Sequence, residues 1–196
     1  MHLLNTLALL GLTVGAAVVA AEPKAEQPWE SGAWSLESGV LWEVGHNTPI
    51  PYRLMPVQLS WRSAEWPGWG FKDGSRLVLR HRLTLLGTMI LHGPESHYVG
   101  VAGSPSLEWW NKAGTRSVFT GAGGGVGLID SRGITGGQGE DYTLNWFARG
   151  GVEWVTPRGT HLSAGVMFQH MSNGGRTEPN PGIDALGFTV GYSWRK

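Results

Sequence analysis

Eight stretches of this chain alternate apolar with polar residues at a period of two, and none carries a convincing helical period. They run from about Ala33 to Asn47, Tyr52 to Arg62, Ser75 to Leu91, His97 to Asn111, Ser117 to Ile129, Thr143 to Val155, His161 to Ser172 and Ile183 to Trp194. In the second, Met55, Val57, Leu59 and Trp61 oppose Gln58, Ser60 and Arg62. In the third, Leu77, Leu79, Leu83, Leu85 and Met89 oppose Arg80, Arg82, Thr84 and Thr88. A chain patterned in this way is all-β, with one face of each strand apolar and the other polar, charged or glycine. Each stretch is also long enough to cross a bilayer as a tilted strand.

Alternation alone fits two architectures. One is a soluble, lipocalin-like barrel with the apolar face inside; the other is an outer-membrane barrel with that face on lipid. Leu3 to Val19 is almost wholly apolar and leads to Val19-Ala20-Ala21, suited to signal peptidase, with charge resuming at Glu22 and Lys24. It reads as an export signal over 1–21. No later stretch has the apolar length of a membrane-spanning helix. The chain nonetheless holds 11 Trp and 31 Gly in 196 residues. Tryptophan concentrates at membrane interfaces, and dense glycine suits a crowded, tightly curved barrel wall. Export, aromatic excess and an even strand count point to an eight-stranded antiparallel outer-membrane β-barrel. The expected organisation is a signal peptide over 1–21, an N-terminal tail over 22–32 (loose, or a plug), and a barrel over 33–196. With both termini periplasmic, the short turns fall near 63–74, 112–116 and 156–160. The first of these is longer than such barrels favour.

Polar residues with chemical capacity cluster on the apolar face of the last two stretches. Leu162, Ala164, Val166 and Phe168 lead in phase to His170 and Ser172, and Asp184 is in phase with Leu186, Phe188, Val190 and Tyr192. A serine, a histidine and a carboxylate therefore share the apolar face of two consecutive strands. Strand parity puts them at the extracellular rim, facing the outer leaflet, with Asp184 across from the pair. His170 is a candidate base for Ser172, and a carboxylate on the other ring nitrogen would orient the imidazole. Asn173, Gly174 and Gly175 offer an amide side chain and open backbone N–H groups for an oxyanion hole. Singly, each of these residues has a plainer use: a headgroup contact for His170, a turn residue for Asp184.

His170-Met171-Ser172-Asn173-Gly174-Gly175, then Pro179-Asn180-Pro181-Gly182-Ile183-Asp184 and a closing strand, resembles the lipid A 3-O-deacylase (PagL) family. The resemblance is specific over about 168–194 and architectural over the rest of the mature chain. It implies a serine esterase of the Gram-negative outer membrane that removes the ester-linked acyl chain at the 3-position of lipid A, with lipopolysaccharide as substrate. It also implies Ser172 as nucleophile, His170 as base, and Asn173 with a nearby glycine amide, here Gly175, for the oxyanion. The family's acidic member is typically glutamate, whereas Asp184 is one methylene shorter. Outer-membrane barrels also usually finish on an aromatic residue, while here Arg195-Lys196 follows Trp194. The alternative reading is a non-catalytic small barrel, structural, adhesive or lipopolysaccharide-binding.

Other signals are weak. Gly121 to Gly127 lacks the Gly-Lys-Ser/Thr ending of a phosphate loop and fits a glycine face inside a narrow barrel. Neither a Gly-x-Ser-x-Gly elbow nor a His-Glu-x-x-His motif is present. Arg80, Arg82, Arg149, Glu43, Glu108 and Glu153 are expected to pair inside the barrel. The histidines show no metal-ligand spacing, so no metal and no cofactor is expected. Balanced, sparse charge and the lack of cysteine argue against nucleic acid and against thiol chemistry. A homodimer is compatible with such a barrel.

Overall fold

In the computed structural model, which describes residues 26–45 and 51–195, the eight alternating stretches form eight long strands, and a ninth, short strand lies in the turn after the second. In chain order they are β1 (Ala33–Glu43), β2 (Arg53–Arg62), β3 (Gly68–Gly70), β4 (Arg76–His92), β5 (His97–Trp110), β6 (Arg116–Ile129), β7 (Tyr142–Val155), β8 (His161–Ser172) and β9 (Ile183–Trp194). The expected export signal over 1–21, and the end of the first expected strand at Asn47, lie outside the described residues. All pairings are antiparallel, and sequence neighbours pair from β4 to β9. The sheet closes because β1 pairs with both β2 and β9, and β2 pairs with β4. Eight strands thus make the barrel wall. The ninth, β3, lies against Arg76–Val78 at the start of β4, beyond the end of β2. It accounts for the turn over 63–75 being long: part of that turn is strand, paired to the overhang of β4.

Closure decides which face is inside. Leu83, Leu85, Val101, Val118, Leu128, Phe188 and Val190 are exposed on the outer wall, while Arg62, Arg80, Arg82, Glu108 and Glu153 are buried within it. This polarity is the inverse of a soluble barrel and matches a wall built against hydrocarbon. Trp61, Trp66, Trp69, Trp109 and Trp154 are exposed near the end that carries the 63–75, 111–115 and 156–160 turns, here the turn end. The opposite, loop end carries residues 44–45, 51–52, 93–96, 130–141 and 173–182.

The interior divides by height. Toward the turn end, Arg62 Nη1 lies 3.0 Å from Glu108 Oε1 and 2.9 Å from Glu153 Oε2. Arg80 lies 3.5 Å from Glu108, His161 Nδ1 2.6 Å from Glu153, and Arg149 2.7 Å from Glu37. Two of the expected ion-pairing residues behave differently. Arg82 donates to Ser35 Oγ, and Glu43 accepts the backbone N–H of Tyr52. Arg62 and Glu37 take their places, since both fall on the inner face by strand parity and reach the facing carboxylate and guanidinium. Residues before β1 close this end: Trp29 packs on Trp110 at 5.8 Å, and Arg80 donates to the carbonyls of Pro28 and Ser31. The described part of the tail thus packs against the interior at this end through Pro28, Trp29 and Ser31. Toward the loop end the interior holds an apolar cluster, in which Leu41, Leu54, Leu86, Tyr98, Phe147, Met167, Met171 and Ile183 pack together. That cluster is the floor under the His170 and Asp184 backbone.

On β6, Gly123 and Gly125 face inward. A Cβ at Gly125 would collide with the Val101 carbonyl, so the wall curves there only because the side chain is absent.

Candidate active site

His170 on β8 and Asp184 on β9 are direct cross-strand partners, at the loop end and on the outer face. Directly opposed residues hold their Cβ atoms about 5 Å apart. A short acid therefore suffices to reach the ring: His170 Nδ1 lies 2.7 Å from Asp184 Oδ1. On the other side of the imidazole, Nε2 lies 3.1 Å from Ser172 Oγ. The two-residue spacing on one strand sends both side chains the same way, which brings hydroxyl and ring together without any loop excursion.

Several features hold this arrangement. Trp146 on β7 is the register partner of His170, and its ring lies over the imidazole at 5.9 Å with a 30° interplanar angle. Phe168 packs on the same indole at 4.9 Å. The Asp184 carbonyl accepts the N–H of Val44 at 2.9 Å. Next to that contact is Gly45, where an added Cβ would sit 3.2 Å from both Asp184 Cβ and Oδ2. The carboxylate thus has the space it occupies because residue 45 lacks a side chain. His170 and Asp184 side chains are 26% and 33% exposed, open enough for a ligand approaching from the membrane face.

A serine whose hydroxyl meets an imidazole that is itself held by a carboxylate has the parts for nucleophilic acyl transfer. The base is within reach of the hydroxyl proton, and its tautomer is set by the acid.

The two groups expected to cradle an oxyanion are committed elsewhere. Residue 173 falls on the inner side of the wall, where Asn173 is fully buried. Its Nδ2 donates to the carbonyls of Gln138 (2.6 Å) and Thr177 (2.8 Å) and to Thr177 Oγ1 (3.0 Å). Its Oδ1 accepts the N–H groups of Gly175 (2.8 Å) and Arg176 (3.2 Å), so the Gly175 donor is also taken. The backbone N–H of Asn173 goes to Asn180 Oδ1 at 3.0 Å. This side chain organises the 173–182 loop; in alternating phase a residue next to an outward serine must point inward. Among the described residues, the Gly174 N–H has no such commitment, and Gly174 and Gly175 both take a positive φ that favours glycine. Sequence reading missed Trp146, Gly45 and Gln138 as neighbours of the site. Trp146 alone left a signal, as a tryptophan in outward phase on the adjoining strand.

The comparisons with known proteins bear on the same region. A family model described as lipid A 3-O-deacylase (PagL) matches residues 55–193, which contain His170, Ser172 and Asp184. The crystal structure of the outer membrane enzyme PagL shares the fold at a TM-score of 0.58 and 21% identity, covering 84% of this chain and 99% of that chain. No curated protein matches the sequence.

Proposed function

The chain belongs to the lipid A 3-O-deacylase (PagL) family, and on that premise we propose that Ser172, His170 and Asp184 form its catalytic triad, acting on lipid A from the outer leaflet. The observation that supports this reading is the unbroken contact Ser172 Oγ–His170–Asp184, at 3.1 and 2.7 Å, on the lipid-facing side of the wall. The plainer uses of these residues do not call for such contacts.

His170 Nε2 takes the Ser172 proton as Oγ attacks the carbonyl carbon of the acyl chain esterified at the 3-position. Asp184 holds Nδ1–H and stabilises the imidazolium that results. Collapse of the tetrahedral intermediate breaks the bond to the sugar oxygen, which leaves with the proton from Nε2. Water, deprotonated by the same nitrogen, then opens the acyl-enzyme and frees the hydroxy fatty acid. With Asn173 and Gly175 engaged in the loop, oxyanion support falls to the Gly174 N–H, the donor left two residues beyond the nucleophile. The loop end lies at the cell surface, so the acyl chains of the outer leaflet run down the outer wall along Trp146, Phe168 and Leu186. Residues 1–21 act as the export signal and 22–32 as the tail that precedes the barrel. Mass spectrometry of lipid A from cells expressing the chain tests the reading. Loss of one hydroxyacyl group is expected with the wild type and not with Ser172→Ala. Deacylation by Ser172→Ala at the wild-type level rejects the triad.

A further inference from the structure

Under the 173–182 loop lies a buried polar chain separate from the ion pairs of the turn end. Its centre is Glu95, on the loop joining β4 to β5 and only 3% exposed. Among the described residues this carboxylate has no ion-pair partner; its oxygens accept from three neutral donors on two segments, the stretch before β2 and the 130–141 loop. Tyr52 OH donates to Oε2 at 2.7 Å, Ser131 Oγ to Oε1 at 2.8 Å, and the Gln138 backbone N–H to Oε1 at 3.1 Å. Burial and the adjacent Glu95 push the Tyr52 phenol far above its ordinary pKa, so the hydroxyl keeps its proton and remains a donor.

Gln138 carries the chain onward. Its carbonyl accepts from Asn173 Nδ2 at 2.6 Å, and its side-chain Oε1 accepts from the Gly182 N–H at 3.3 Å. Asn173 directly follows Ser172, and Gly182 stands two residues before Asp184. One residue therefore grips both ends of the loop between the nucleophile's strand and the acid's strand. Gly137 lies beside it, where an added Cβ would meet Ser131 Oγ and Glu95 Oε1 and force these side chains to shift.

Burying a carboxylate without a cation is costly, and an apolar side chain of similar size would fill the same space at less cost. Such a group is retained where its geometry is needed. We propose that Glu95 is a positioning residue for the deacylase: through Gln138 and Asn173 it sets where Ser172 stands relative to His170 and Asp184. The proposal rests on the triad reading above.

The test compares Glu95→Gln, Tyr52→Phe and Asn173→Ala in the full-length barrel, with folding confirmed by the heat-modifiable gel shift. Release of the acyl chain from lipid A in mixed micelles supplies kcat and KM. Small displacements of reacting groups cost turnover steeply, so Glu95→Gln should lower kcat by about 10- to 100-fold while KM stays within about twofold. Tyr52→Phe, which keeps the carboxylate and removes one donor, should give a smaller loss in the same direction. Because Glu95 acts through Asn173, adding Glu95→Gln to Asn173→Ala should cost little more than Asn173→Ala alone. Wild-type kcat in folded Glu95→Gln, or losses that multiply in the double variant, overturns the proposal. If Glu95→Gln does not fold, wild-type kcat in Tyr52→Phe overturns it instead. Retained activity in Ser172→Ala is a different failure, which removes the triad reading and this proposal with it.

Discussion

Replacing Asp184 by glutamate asks whether the barrel is built around the shorter acid. Glutamate sets the carboxylate about 1.5 Å further from the backbone. His170 and Asp184 are directly opposed, and the existing contact is already 2.7 Å, so nothing is gained by reach. The added methylene must fold back, and the Gly45 backbone limits where it goes, since even a Cβ at 45 would lie 3.2 Å from Asp184 Oδ2. An off-rotamer side chain costs about 0.5–1.5 kcal/mol, which predicts a rate about 2- to 12-fold below wild type. Asp184→Ala removes the charge-assisted bond, worth about 1.5–3 kcal/mol, and should lose about 10- to 150-fold. The assay is the single-turnover rate of acyl release from lipid A, followed by mass spectrometry on barrels shown to be folded. A glutamate variant equal to or faster than wild type would refute the reasoning, because the site would then be short of reach.

The remaining expectations follow from the same contacts. Ser172→Ala and His170→Asn should each reduce turnover by more than about 1,000-fold, and the double variant should be no worse, since triad members act as a unit; steady-state kinetics on the three proteins decides this. Gly45→Ala should slow the enzyme by roughly 2- to 10-fold by pushing the Asp184 carboxylate off His170, and a rate unchanged from wild type would show that the carboxylate does not depend on that space. Trp146→Leu keeps an apolar outer face but removes the ring lying over His170; kcat should drop with barrel stability unchanged, whereas unaltered kcat would leave the stack without a role. Arg62→Leu leaves Glu108 and Glu153 short of their shared cation and should destabilise the barrel by about 3–5 kcal/mol, seen as a lower unfolding temperature of the compact gel form; an unshifted transition would count against the ion cluster as a structural element.

Much of this molecule is legible in its sequence because the information is local. Two-residue alternation marks Arg53–Arg62, His161–Ser172 and Ile183–Trp194 within a residue or so of their actual bounds, and the same parity sends Leu162, Val166, His170 and Ser172 to one face. Glycine and aromatic excess, read with that parity, point to a wall inverted relative to a soluble barrel. What parity cannot supply is register across a loop. That His170 stands opposite Asp184, and not one pair along, depends on how the 173–182 loop is folded, and its bonds run to Gln138, 35 residues before Asn173. The commitment of Asn173 to that loop was hidden for the same reason: its donors and acceptors meet only after the 130–141 segment packs beneath it. The choice of Arg62 and Glu37 over Arg82 and Glu43 as ion-pair partners likewise awaited closure, which brings strands distant in sequence to face one another across the lumen. β3 sits in the turn Trp66-Pro67-Gly68-Trp69-Gly70, too short to alternate, and exists because β4 outruns β2 and offers it an unpaired edge. Period and phase are properties of neighbouring residues and survive in the sequence; register, partner choice and the spending of individual hydrogen bonds belong to segments that meet only when the barrel shuts.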